Sequence, residues 1–373
     1  MMSRRLQIAI LFVLISEVAS LSFSQANPNL RTYFKQYIGL SDNQIAEIRD
    51  GEAVTKNLQS RIPDEVFVFG AVYIKAEPED YLKFSRDFDR LRKIPGYLAI
   101  GGFSNPPQLS DVKDFTFTSE DIKALKHCKT GDCPIQMPTS SIDELHRSVD
   151  FSSPDAEEQV DRLLQETVVA RPSAYQREGN EILGEYNDKR NPILVPQQFR
   201  YMLSYSKALP RYFPDFYNYL LTYPEGKPAD VQNSFYWAKV KFGLKPTLRV
   251  VHVLTLQRET PGGPIIAVAE KQLYSSHYFE TALDLAFCIP EATGPSRSGF
   301  YLIMAMGSEQ AGLTGFKGSI VRKVAVDRSA SSLKNSLMSI KNVLELGPEP
   351  AGAAAKPGIA RSTLESGQPQ PNE

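Results

Sequence analysis

The sequence has almost no net charge: 42 Lys and Arg stand against 43 Asp and Glu, with no long run of either sign, for a formal charge of -1. A nucleic-acid binder needs a basic surface that displaces counterions from phosphates, so no DNA or RNA partner is expected. The strong catalytic and nucleotide motifs are missing as well. No Gly-x-Ser-x-Gly elbow, Walker loop, dinucleotide fingerprint, His-Glu-x-x-His or paired Cys-x-x-Cys occurs, which removes the support for serine-hydrolase, zincin and nucleotide-dependent chemistry. Beyond the first residues, no segment is apolar enough to span a bilayer. No nucleotide, metal or other cofactor is implied.

Cysteine is also scarce, at three residues in 373. Cys128 and Cys133 flank a Thr-Gly-Asp turn in HCKTGDCP. A lone Cys-x4-Cys without a second ligand pair is a poor zinc signal, and in an exported chain the pair reads as a local disulfide. Cys288, inside the apolar run LDLAFCI, reads as a buried thiol.

What the chain does have is 42% apolar and 10% aromatic residues, enough for a substantial core. It begins MMSRRLQIAILFVLISEVASLSFSQA, with Arg4 and Arg5 before an apolar run and small residues up to Ala26. The run is shorter than the roughly 20 residues of a membrane span, so residues 1-26 read as a cleavable signal peptide and the protein as periplasmic or secreted. An uncleaved N-terminal anchor is the alternative.

Residues 27-61 form an N-terminal helical segment, with a helix capped at Ser41 and stopped at Gly51. VFVFGAVYIKA (66-76) is β-branched and aromatic, hence a strand. The stretch from Pro78 to Pro95 places Tyr81, Leu82, Phe84, Phe88 and Leu91 at helical spacing. YLAIGGFS follows as a strand, with DFTFT (114-118) as a short third one. Residues 119-242 read as helical, four segments opening with capping or proline starts. The aromatic density from Phe199 to Trp237 is that of core packing between helices and a sheet, with an aromatic lid over a ligand as the alternative. Four strands then return at 248-257, 264-274, 277-289 and 299-306, joined by Gly/Pro/Ser loops as in an antiparallel meander. A long helix covers about 315-346, and 347-373 has too few large apolar groups to fold.

The stretch VFVFGAVYIKAEPEDYLKFSRDFDRLRKIPG, with Ala76, Pro78, Glu79, Asp87, Phe88 and Pro95, resembles the opening of the START-like or helix-grip superfamily, the polyketide cyclase/dehydrase and lipid-transport group. GFYLIMAMGSEQAGLTGFKGSIVRKV resembles that group's last strand entering its closing helix. The chain is also similar to uncharacterised exported bacterial proteins. The resemblance implies an α+β fold, a curved antiparallel sheet wrapped on a long C-terminal helix. That domain would be split into 62-118 and 243-346 by the all-helical insertion 119-242. It also implies a cavity between sheet, C-terminal helix and insertion, holding a hydrophobic or amphipathic small molecule, possibly a lipid. The oligomeric state is left open.

For site residues, alternation puts His252 on a strand face with Leu248, Val250, Leu254 and Leu256, and His277 on one with Phe279, Leu283, Leu285 and Phe287. Two neighbouring imidazoles could form an acid/base pair or contact a ligand head group, although a hydrogen-bonded core histidine is the simpler reading of each. Glu270, Gln272 and Tyr274 fall on the face opposite Lys271 and Leu273. The expected ligand contacts are therefore His252, His277, Tyr274, Tyr236 and Trp237. His252, His277, Glu270 and Tyr274 are the weak catalytic candidates, and a non-enzymatic binding role is preferred. A cyclase- or hydrolase-type enzyme and an envelope interaction module are the alternatives.

Overall fold

A computed structural model of the chain describes residues 29-346, apart from 94-95, 189-191, 207-208, 242-244, 292-298, 311-312 and 314. The expected signal peptide and tail lie outside the described residues. A short turn α1 (Leu30–Thr32) runs into a π-helical turn (Tyr33–Ile38), and α2 (Asp42–Arg49) follows behind its Ser41 cap. Next come β1 (Val54–Leu58), β2 (Glu65–Ile74), α3 (Pro78–Ser85), α4 (Phe88–Leu91) and β3 (Tyr97–Gly102). The helical block holds α5 (Ser119–Leu125), α6 (Thr139–Ser148) and α7 (Ala156–Glu178). A small hairpin, β4 (Glu185–Tyr186) and β5 (Ile193–Leu194), then leads to α8 (Val195–Tyr205), α9 (Leu209–Tyr212) and α10 (Pro214–Thr222). Strands β6 (Val231–Lys241), β7 (Pro246–Arg258), β8 (Ile265–Ser275), β9 (Phe279–Pro290) and β10 (Phe300–Gln310) precede the 32-residue α11 (Gly315–Leu346).

Eight strands form one sheet in the order β1-β2-β10-β9-β8-β7-β6-β3, every neighbouring pair antiparallel. The order of strand, helix, strand, helical block, meander and closing helix is the one expected.

Four local readings differ. The stretch read as helical to residue 242 ends in β6, whose alternation was hidden because both of its faces carry aromatics: Phe235 and Trp237 on one, Tyr236 on the other. DFTFT is not a strand; Phe115 and Phe117 are buried in the block, and the Phe117 amide donates to Asp161 at 3.0 Å. The helix after β2 breaks in two because the Asp87 carboxylate caps α4 through the Arg90 amide, 3.0 Å away. Edge strand β1, VTKNL, has too few large apolar residues to announce itself.

The sheet is apolar on both faces. All ten residues of β2 are buried, as two-sided covering requires. On one face Val66, Val68, Val72 and Ile74 join Phe300, Leu302, Ile266 and Val268 against Leu333, Leu337 and Ile340 of α11 and Tyr81 and Leu82 of α3. On the other, Phe67 and Phe69 join Leu248, Leu254, Leu283, Leu285 and Phe287 against the N-terminal turns and the helical block. The C-terminal helix and the block therefore lie on opposite faces. This corrects the expectation of one cavity bounded by both, since the sheet stands between them.

Gly70 fixes how closely α11 approaches: a Cβ there would sit 2.7 Å from Leu337 Cδ1 and 2.9 Å from Leu333 Cδ2. Leu337 is fully buried at this contact. Leu337→Ala is expected to cost roughly 3 kcal/mol, as leucine truncations in tight cores do. Urea unfolding should show this as a lower midpoint at unchanged slope.

Candidate functional site

The residues expected to share a site are divided among three places. His252 and Lys271 are cross-strand partners on the block face, both buried. The His252 ring stacks on Phe235 and lies against Tyr223, each 4.6 Å between centroids, with Tyr175 at 5.3 Å. Its Nε2 is 2.9 Å from Asn233 Oδ1. Burial, with the Lys271 charge behind it, pushes this imidazole well below its ordinary range. Its neighbours are core side chains.

Lys271 was not singled out from sequence, although a lysine between alanine and leucine runs in a two-sided strand is a usable signal. Its ammonium donates to Asn180 Oδ1 and lies 4.3 Å from the Phe199 ring centroid and 5.5 Å from that of Tyr175. Burial, then the Arg200 charge, brings it from 10.5 down to about 7, with Glu181 opposing.

His277 and Tyr274 lie elsewhere. His277 sits in the turn between β8 and β9, before Tyr278, whose φ of 64° interrupts the strand. The alternation extrapolated from Phe279 to His277 therefore does not apply. His277 Nε2 is 3.2 Å and Lys245 Nζ 3.6 Å from the Asp121 carboxylate, which comes from the first turn of α5. Burial pushes Asp121 up, but the His277 contact, with help from Thr118 and Lys245, outweighs it and holds the carboxyl below its usual range. The neighbouring Ser276 exchanges hydrogen bonds with Leu248, four residues from His252, a separation of about 13 Å along β7. The two imidazoles are not brought together.

Tyr274 corrects a second extrapolation. A bulge between Val250 and Val251 pairs them with Tyr274 and Gln272, leaving Leu273 as the extra residue. An extra residue shifts the following side chain to the other face. Tyr274 thus turns to the block, near Tyr186 and Arg171, and away from Glu270. Trp237 also faces the block, where its indole donates to the Asp111 carbonyl at 2.7 Å and meets Phe115 edge-on.

Glu270 and Tyr236 are on the α11 side of the sheet, joined by a 2.9 Å hydrogen bond from the phenol. Asp284 stands opposite Glu270 in the ladder, and Arg249 Nε donates to Gln272 Oε1 at 3.2 Å. Burial raises both carboxyls, Asp284 to about 7, while Arg249 pulls the other way. Charged residues within apolar strand runs, Arg249 and Asp284, are the signal that sequence reading passed over. The disulfide Cys128–Cys133 is formed and Cys288 is a buried free thiol, both as expected.

A hollow on the block face touches none of the expected contacts. It is about 760 Å³ and opens between the Tyr33–Ile38 turn, β1 with the loop after it, α8, and the middle stretches of β9 and β10 with Phe67 and Val68 of β2. Phe67, Tyr201, Met202, Tyr205, Leu283 and Leu285 line it, with Phe67 stacked on Tyr205 at 4.6 Å. Gln36, Lys56, Asn57, Gln59, Ser60 and Arg61 supply polar groups. A recess of about 40 Å³ adjoins it: Tyr33, Ser206, Leu285 and Ala305 line both, and the recess adds Leu30, Leu209, Phe213, Phe287, Ile289 and Ile303. Concave spaces of this size with apolar walls and a few polar groups are where small molecules bind.

Among the described residues, no group of three or more His, Cys, Asp and Glu could hold a metal ion, and no helix is long and apolar enough to cross a membrane. No protein-family model and no curated protein matches the chain. Among solved structures, a STAR-related lipid transfer protein from Xanthomonas axonopodis is similar at 8% identity and a TM-score of 0.32, over 77% of this chain and 93% of the other. That superposition is loose, and the functional reading rests on the hollow itself.

Lys271 gives a pH test. Its folded value is below its unfolded one, so the unfolded chain holds more protons: the destabilisation is complete below about pH 7 and fades as pH rises toward 10.5. Relative to Lys271→Met, the wild-type chain should gain about 3 kcal/mol between pH 7 and 9.5. Paired denaturant titrations at the two pH values measure the difference.

Proposed function

We propose that this is an exported START-like protein that binds an amphipathic small molecule, such as a single-chain lipid, in the block-face hollow. The observation that carries the reading is the adjacency of a wide, partly polar space of about 760 Å³ and a narrow apolar recess, with Tyr33, Ser206, Leu285 and Ala305 lining both. A molecule with a polar head and an alkyl chain matches that gradient. Its chain would leave water along Phe67, Leu283 and Leu285 and end among Phe213, Phe287 and Ile303, gaining about 0.8 kcal/mol per buried methylene. Its head would stay among the polar groups of the β1 loop.

In this reading the sheet wraps α11 as in the helix-grip group, and the residues between β3 and β6 are the insertion that builds the second face. The antiparallel order, with β2 beside β10 and α11 packed on β2, supports it. The Cys128–Cys133 disulfide supports export, because such bonds persist in oxidising compartments.

Ala305 lies where hollow and recess meet. Native mass spectrometry of the purified chain, with an organic extract of the same sample, should find a stoichiometric amphipathic species or uptake of an added twelve-carbon amphiphile. Ala305→Phe should lower that uptake at least tenfold with an unchanged unfolding midpoint. A clean apo mass with no uptake by the wild-type protein would rule the reading out.

A further inference from the structure

The ligand's head group can be read from the charges around the hollow, an inference that rests on the amphiphile reading above. Among the described residues that line the hollow, Lys56 and Arg61 are cationic and none is Asp or Glu. Lys56 Nζ donates to the Gly39 carbonyl at 2.7 Å, a neutral acceptor that holds the ammonium in place.

Arg61 is held differently. Its guanidinium lies over the Tyr201 ring, 3.6 Å from the centroid, and its side-chain hydrogen bonds run through Nη2, to Glu65 Oε1 at 2.8 Å and Gln198 Oε1 at 3.3 Å. Stacking and these bonds fix the plane of the fork, and such a fork matches an oxyanion. A third cation, Arg211, donates to the hydroxyl of Tyr37 at 3.3 Å, and that tyrosine lines the hollow.

The acidic groups nearby are engaged, Glu65 in an ion pair with Arg61 itself. Glu65 is buried, and its carboxylate accepts from the Arg61 and Ile62 amides as well as from the Arg61 side chain. Glu309, opposite Glu65 in the ladder, accepts from Gln198 and is raised by burial to about 7. A quaternary ammonium head is held best by a carboxylate or a cage of open aromatic faces; Arg61 covers Tyr201, Phe67 and Tyr205 stack on each other, and no carboxylate is among the described residues that line the space.

We infer that the hollow takes a single-chain amphiphile with an oxyanion head, a carboxylate or a phosphate monoester, placed between Lys56 and Arg61. Calorimetry with the purified full chain tests this with four twelve-carbon probes below their micelle concentrations: laurate, dodecyl phosphate, dodecylphosphocholine and dodecyltrimethylammonium. At least one of the two anions should bind tenfold or more tighter than the last two, and which anion does so distinguishes a fatty-acid from a phospholipid-type head. Lys56→Gln and Arg61→Gln should each bring the anion to the level of the phosphocholine probe, and Lys56→Arg should keep the preference. Equal binding of all four probes would overturn the oxyanion assignment and leave the amphiphile reading standing. No binding of any probe would overturn both.

Discussion

The architecture depends on one constraint, that a sheet apolar on both faces must be covered on both. Strand β2 states it most fully, with every residue buried and alternate side chains committed to opposite cores. At roughly 1.5 to 3 kcal/mol for each large side chain removed from water, neither face can be left bare. Helix α11 with α3 covers one. The other is closed by elements from two distant parts of the chain, the turns after Leu30 and the block between β3 and β6. The hollow lies where these two covers meet without filling the space between them.

Polar groups carried into the interior are each handled locally. The Lys271 ammonium is received by an amide oxygen and two aromatic faces. Asp121 is held ionised by His277 and Lys245, whereas Glu270 and Asp284 are pushed toward protonation. These neighbourhoods lie at different points on two faces, so they do not add up to one catalytic centre. An imidazole packed among Phe235, Tyr223 and Tyr175 has the surroundings of a core residue.

Much of the fold was legible because it is local. The run VFVFGAVYI, the four meander strands, the Ser41 cap and the long closing helix each carry their signal within a dozen residues. The failures have equally specific causes. One extra residue at Leu273 reversed the side of Tyr274, the turn at Tyr278 broke the count to His277, and aromatics on both faces of β6 masked its alternation. The hollow could not be read at all: Tyr33, Lys56, Tyr205 and Ala305 belong to four segments that only the tertiary fold joins, and none of them is unusual in its own sequence context.

The bulge between Val250 and Val251 also makes the sheet a partition. Ahead of it, Glu270 and Gln272 serve the chemistry of one side; after it, Tyr274 serves the other. Because the two sides share a backbone but few side chains, substitutions on one can accumulate with little effect on the other. Such a wall lets a chain keep an old compartment intact while it furnishes a new one behind it.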